Sequence, residues 1–279
     1  MIRISDFTFQ YDSGRTPALQ NINMTIADGD FVGIIGNSGA GKSTLTYAMN
    51  GVIPGFYRGD YYGSVEVNGM DTVENRPEII ASHVGSVFQD IDAQMVASVV
   101  EDEILFGLEN FGIPHDEIEG RITEALAACG IEDLRMRHID TLSGGQRQKV
   151  AVASIVALRP RIIVLDEPTG ELDPQSSEQI FALLSDINRV YGTTIVIVEQ
   201  KIALLCAYAR KLAVLDHGHL AFFGPVCEVL ANGRAMESLG IHVPLIVSLH
   251  QALSERGWYQ GTAPVNMDEA ERMAREAMQ

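Results

Sequence analysis

Apolar residues along the chain change period several times, and each change marks a boundary. Ile2, Ile4, Phe7 and Phe9 lead to Gln10-Tyr11, and Ile22, Met24 and Ile26 alternate with polar residues up to an Asp28-Gly29 turn. That period of two predicts half-buried strands. Phe31-Val32-Gly33-Ile34-Ile35 is instead continuously apolar and predicts a fully buried strand ending at Gly36, with a helix over about Ser43 to Asn50. Val65-Glu66-Val67 stops at Asn68-Gly69, a hairpin signal, and Val84 to Phe88 predicts a further strand closed by Gln89.

From about Asp90 to Pro160 the spacing becomes helical. Val99 to Phe106, Ile118 to Cys129 and Ser143 to Leu158 place apolar residues three and four apart, with Ser143 suited to cap the third helix. Beyond Pro160 strands and helices alternate: Ile162 to Leu165, a helix over Pro174 to Val190, Thr194 to Val198, then Leu212 to Leu215. Strands separated by helices predict an α/β fold with a parallel sheet. The helical block between Gln89 and Pro160 predicts a second lobe. After Gly233 the pattern weakens, with helical spacing over Val243 to Leu253 and Asp268 to Met278.

Composition narrows the class without naming a chemistry. The 279 residues are 46% hydrophobic and 20% charged, which describes a globular chain with a substantial core. No apolar run reaches the ~18 residues of a membrane span, and Met1 to Asp6 has no signal-peptide core. Three scattered cysteines lack metal-ligand spacing and suit a reducing cytosol. A formal net charge of -17 argues against nucleic acid as a partner and favours a basic protein segment.

Candidate chemistry lies at the ends of the buried strands. Gly36-Asn37-Ser38-Gly39-Ala40-Gly41-Lys42-Ser43 follows an apolar strand and opens a helix, the context of a phosphate-binding loop. Its glycines let backbone N–H groups converge on phosphate oxygens at a helix N-terminus. Lys42 would neutralise the β- and γ-phosphates and Ser43 would ligate Mg2+; Thr44 completes the nucleotide-binding run. Asp166-Glu167 closes the strand Ile162 to Leu165. Asp166 would hold Mg2+, directly or through water, and Glu167 would orient and deprotonate the attacking water.

Between these two motifs stands Leu142-Ser143-Gly144-Gly145-Gln146, and Asp166-Glu167 runs on as Pro168-Thr169-Gly170-Glu171-Leu172-Asp173-Pro174. With both, the chain resembles the ATP-binding-cassette (ABC) ATPases. The resemblance implies a P-loop NTPase cassette over residues 1–235. Its RecA-like core would comprise 1–89 and 161–235 with an antiparallel β subdomain, its helical lobe 90–160, and a helical extension 236–279. In that family Ser143, Gly144, Gly145 and Gln146 would be offered to the ATP of a second cassette, homologous or identical, and Asp173 would cross the dimer interface. Gln89 falls at the Q-loop position, where a neutral side chain with donor and acceptor can bridge metal and water to the mobile lobe. Tyr11 lies where cassettes place an adenine-stacking aromatic. Phe9 competes by period two, and a core role for the aromatic is the alternative.

Asn50 to Gly59, Phe88 to Gln94, Val100 to Glu103 and Phe106 to Asn110 are similar to energy-coupling-factor transporter ATPases of the cobalt and thiamine-precursor branch. That implies one of two ATPase subunits, or half of a fused pair, on the cytoplasmic membrane face. It would power a transmembrane T component and a substrate-binding S component importing a vitamin, vitamin precursor or metal ion. Soluble ABC proteins of translation or repair are the other class, and their linkers, coiled coils and zinc modules do not occur in the sequence.

One position departs from the family. Gln200 stands where a histidine is usual; its amide can donate to a γ-phosphate but cannot become cationic or relay a proton. Either glutamine is a working substitute, or this chain's own site is the slower of two and its signature completes the better one. The second is the expectation taken here. His217-Gly218-His219 is read as a hairpin turn rather than a metal pair. Glu101-Asp102-Glu103 is read as a helix first turn, with acids presented to a partner's arginines as the alternative.

Overall fold

The computed structural model describes residues 1–278. Continuous apolar runs become the centre of a six-stranded sheet because only strands covered on both faces can bury every side chain. These are β3 (Phe31–Gly36), β7 (Ile162–Asp166), β8 (Thr194–Val198) and β9 (Lys211–Asp216), with β10 (His219–Pro225) at one edge and β6 (Val84–Val87) at the other. The order is β10-β9-β3-β8-β7-β6, parallel except for the β9–β10 hairpin. Alternate residues of each strand serve opposite faces. Ile163, Leu165, Ile195 and Ile197 pack on one side, and Ile162, Val164, Val196 and Val198 on the other.

The period-two segments form a second sheet, antiparallel, in the order β2-β1-β4-β5: β1 (Ile2–Tyr11), β2 (Leu19–Ile26), β4 (Gly59–Val67) and β5 (Met70–Asp71). The apolar spacing of β1 slips from Ile4 to Phe7 because a register shift lies between them, with Asp6 at φ 47. Asn68 and Gly69, both at positive φ, turn β4 into β5. This sheet packs on the same side of the large sheet as helix Lys42–Met49, sharing one core with Val32, Ile34 and Leu45.

Three long helices, Val100–Asn110, His115–Cys129 and Gly144–Ala157, lie in the segment between β6 and β7. Val100, Ile104 and Leu108 form one buried stripe, and it joins the core on the other sheet face, together with helix Pro174–Tyr191. The acidic triplet sits in the first turn of Val100–Asn110. Glu101 is ion-paired with Arg135, and Glu103 is buried, accepting from the N–H groups of Val96 (2.9 Å) and Ala97 (2.8 Å). Two of the three acids are therefore committed within the chain, which leaves Asp102 for the partner-docking alternative. His217-Gly218, both at positive φ, forms the β9–β10 turn.

Toward the C-terminus, helices Leu245–Glu255 and Met267–Ala277 pack on each other. The turn before them reaches the P-loop, where Asn37 Nδ2 donates to the Leu239 carbonyl at 2.6 Å.

β3 aims the P-loop, and Gly33 at its middle admits no side chain. A Cβ there would lie 2.8 Å from Leu205 Cδ2 and 2.9 Å from Leu212 Cδ2. Gly33→Ala should therefore destabilise the fold by about 1–3 kcal/mol through overpacking, read as a lower denaturation midpoint in a urea titration.

Candidate functional site

The P-loop takes its shape from a strand that must stop and a helix that must start. Gly41 precedes helix Lys42–Met49 at φ 100, and a Cβ on it would fall 2.6 Å from the Ala18 carbonyl oxygen. Only glycine fits both conditions. Asn37, Ser38 and Gly39 are exposed at the loop crest, while Ala40 is buried and its N–H closes a turn on Asn37 O at 3.1 Å. Lys42 is 8% exposed and folds back over its own loop, donating to Gly36 O (2.9 Å) and Asn37 O (3.1 Å). The ammonium is thereby held at the rim of the loop, where phosphate oxygens can replace those carbonyls.

Asp166 ends β7 facing the start of that helix, beside the Ser43 side chain. It is 4% exposed, and its Oδ1 has no hydrogen-bond partner. Burial raises its pKa above the ordinary aspartate value and the negative charge of Glu167 adds to this, against the lowering effects of Ser43 and Lys42. A carboxylate with an orphaned buried oxygen beside a hydroxyl is the donor set of a hard divalent cation such as Mg2+.

Glu167 is the next residue, at φ 49, with its N–H on Val198 O at 3.0 Å. Gln200 Nε2 donates to both of its carboxylate oxygens at 3.0 Å, and Gln89 Nε2 donates to Oε2 at 3.3 Å. Gln89, Glu167 and Gln200 thus share one cavity of about 410 Å3, together with Arg147 and Gly144.

Tyr11 stands beside the P-loop helix, its hydroxyl 3.1 Å from Thr44 Oγ1. Its ring meets Phe9 and Tyr57 edge-on, and Tyr57 stacks on Tyr47. Phe9 is fully buried, so burial removes it from competition for an adenine base. Tyr47 and Tyr57 escaped the sequence reading because neither shares a spacing with Tyr11, although Tyr57 lies within the Asn50 to Gly59 stretch.

Ser143 caps helix Gly144–Ala157 in a reciprocal capping box. Its Oγ accepts from Gln146 N–H (3.3 Å), and Gln146 Oε1 accepts from Ser143 N–H (2.9 Å). Ser143, Gly145 and Gln146 line a different cavity, of about 250 Å3, with Lys149 and Ser176. The structure therefore gathers Asp166 with the P-loop and Glu167 with Gln89 and Gln200, adds Gly144 to the second group, and opens Ser143, Gly145 and Gln146 on a different side. The sequence reading also missed Thr169, Glu199 and Lys201 behind Glu167. A charged residue closing the run Thr194 to Val198 was the available signal for Glu199.

The ABC transporter family profile matches residues 19–170. A putative ABC transporter ATP-binding protein of Pyrococcus horikoshii is 37% identical over 257 residues, 92% of this chain and 90% of the relative. The energy-coupling factor transporter ATP-binding protein EcfA1 of Levilactobacillus brevis is 34% identical over 257 residues, again 92% and 90%. Among solved structures, cbiO1 from Clostridium perfringens, part of the ABC transporter complex cbiONQ, superposes with a TM-score of 0.76 at 31% identity. That match covers 90% of this chain and 98% of cbiO1. The cassette MJ0796, a dimer bound to ADP and Pi, superposes with a TM-score of 0.70 at 26% identity, covering 81% of this chain and 99% of that one.

Fold and site together define an ATP-binding cassette of the P-loop NTPase class. The chain belongs to the ABC transporter family and is an ATPase of that family, whose cassettes bind ATP, generally with Mg2+, and pair as dimers.

The raised pKa of Asp166 has a stability consequence. The folded chain holds this proton more tightly than the unfolded chain, so stability falls as pH climbs from the ordinary aspartate value through the raised one. At neutral pH the nucleotide-free protein carries an unfavourable buried charge. Asp166→Asn should raise its denaturation midpoint by about 2–4 °C while abolishing the Mg2+-dependent gain in ATP affinity, measured by calorimetric titration.

Proposed function

We propose that this chain is an ATP-hydrolysing subunit of an energy-coupling-factor type importer. The observation that carries the reading is the convergence of Lys42, Ser43, Asp166 and Glu167 in a chain spanning 90% of an energy-coupling-factor ATP-binding protein. In this reading residues 1–235 are the cassette, with a core of 1–89 and 161–235 and a helical lobe of 90–160, and residues 236–279 are an extension.

Gly36 to Thr44 bind the triphosphate, with Lys42 on its terminal phosphates, and Tyr11 meets the adenine. Ser43, Asp166 and Gln89 hold Mg2+, which when bound neutralises charge on the phosphates. Glu167 takes the proton of the attacking water while the two amides hold its carboxylate in place. Ser143, Gly144, Gly145 and Gln146 close over the ATP of a second cassette. Ser143, Gly145 and Gln146 open on a cavity that no P-loop residue lines, which supports that arrangement.

Among the described residues no helix is long and apolar enough to cross a membrane. Coupling therefore calls for transmembrane and substrate-binding partners, the T and S components, with the chain on the cytoplasmic membrane face. Exposed Val96, Phe106, Phe111 and Met136 in the segment between β6 and β7 support such a docking surface. The transported solute, a vitamin, vitamin precursor or metal ion in this reading, is chosen by the S component. Affinity purification from detergent-solubilised membranes should recover integral membrane partners whose complex hydrolyses ATP; recovery of the chain alone from the soluble fraction would sink the transporter reading.

Gln200 favours a second reading, in which this chain's own site is the slower of an unequal pair. Its amide is engaged with Glu167 and cannot relay a proton. Gln200→His should then raise turnover of the assembled complex about tenfold in single-turnover assays, whereas an unchanged rate identifies glutamine as a competent substitute.

A further inference from the structure

We propose that Glu199 and Lys201, the two neighbours of Gln200, staple the loop carrying Gln200 to the loop leaving Glu167, and that Glu199 is a positioning residue for ATP hydrolysis. The inference rests on the reading of Glu167 and Gln200 as the hydrolytic pair. Glu199 is 1% exposed, and both oxygens of its carboxylate are engaged. Oε1 accepts the backbone N–H of Gln200 at 2.8 Å. Oε2 accepts the hydroxyl of Thr169 at 2.5 Å, and Thr169 is itself fully buried. On the other side of Gln200, Lys201 Nζ donates to Thr169 O (2.6 Å), Leu172 O (3.0 Å) and Ser177 Oγ (2.7 Å). All three of its donors are used, and all reach the segment that follows Glu167.

Packing alone does not account for a carboxylate in this place. A buried charge costs stability unless hydrogen-bonded, and an apolar side chain continuing the run Thr194 to Val198 would fill the space more cheaply. Both bonds of Glu199 end directly behind the hydrolytic pair, one on the peptide of Gln200 and one two residues past Glu167. That geometry answers two needs. Glu167 sits at φ 49, a backbone conformation that persists in a non-glycine residue only when its surroundings hold it. Gln200 spreads one amide group across two carboxylate oxygens at equal distance, so a small drift of its backbone loses one bond. Where a histidine could act through its charge, a neutral amide acts by its position.

The test uses the full chain in the assembly in which it purifies, comparing Glu199→Leu, Thr169→Val, Thr169→Ser and the double variant Glu199→Leu/Thr169→Val. Glu199→Leu, which can neither accept from Gln200 N–H nor pair with the Thr169 hydroxyl, and Thr169→Val should each lower kcat about tenfold with KM for ATP changed less than about twofold. The double variant should fall no further than Glu199→Leu alone, because the Thr169 bond is already lost there. Thr169→Ser, which keeps the hydroxyl, should retain wild-type kcat. Should Glu199→Leu fail to fold, the contrast of Thr169→Val with Thr169→Ser still decides the matter. Unchanged kcat in Thr169→Val overturns the staple, as does a parallel loss of kcat and ATP affinity tracking lost stability. Glu167→Gln serves as the control. If it leaves turnover intact, the hydrolytic reading falls and the staple with it; if it abolishes turnover while Thr169→Val is silent, the staple alone falls.

Discussion

Everything at the site depends on the register of three parallel strands. β8 lies between β3 and β7, and Val198 is level with Ile34 on one side and Asp166 on the other. The three strands therefore release their chains at the same height and at neighbouring positions. Gly36 follows Ile34 by two residues, Glu167 follows Asp166 directly, and Gln200 follows Val198 by two. A crevice outside the carboxyl ends of parallel strands is where open α/β sheets bind ligands, and here it holds segments distant in sequence. A slip of one residue in β8 would turn its inward residues to the opposite face and carry Gln200 away from Glu167.

The same register explains why such polar groups can be buried. β3, β7 and β8 are shielded on one face by the antiparallel sheet and helix Lys42–Met49, and on the other by helix Pro174–Tyr191 and the helical segment. Within that shield water cannot compete, so each polar group must find a partner in the chain. Lys42 finds loop carbonyls, and Glu199 finds a hydroxyl and a peptide N–H. One oxygen of Asp166 finds none. The one unsatisfied carboxylate oxygen among these groups lies beside Ser43, where the proposed cation would sit.

Much of this was legible in the sequence, for reasons that differ by element. The buried strands could be read because a strand covered on both faces runs almost wholly apolar, as in Ile162 to Leu165 and Ile195 to Val198. The signature helix could be read at its first residue because Ser143 meets the local requirement of an N-cap. The turns at Asn68-Gly69 and His217-Gly218 could be read from a hairpin signal and from a glycine following the strand Leu212 to Leu215, whereas the partner strand β10 was not read. Less was legible in β1, where a register shift at Asp6 interrupts the alternation, and in Glu101 and Glu103, whose partners come from other segments.

What the sequence determined by itself was therefore whatever depends on near neighbours: strand and helix periods, caps, tight turns, and the P-loop with its strand before and helix after. Those features are set by backbone geometry and by side chains a few residues apart. Only the tertiary structure decided that Gln89 and Gln200 meet on Glu167, that Phe9 is core while Tyr11 reaches Thr44, and that Ser143 opens on a different cavity. These pairings join residues 33 to 78 positions apart, or separate residues that lie close along one strand. Their physical cause is the order and register of strands packed in a common core, a property of no single segment.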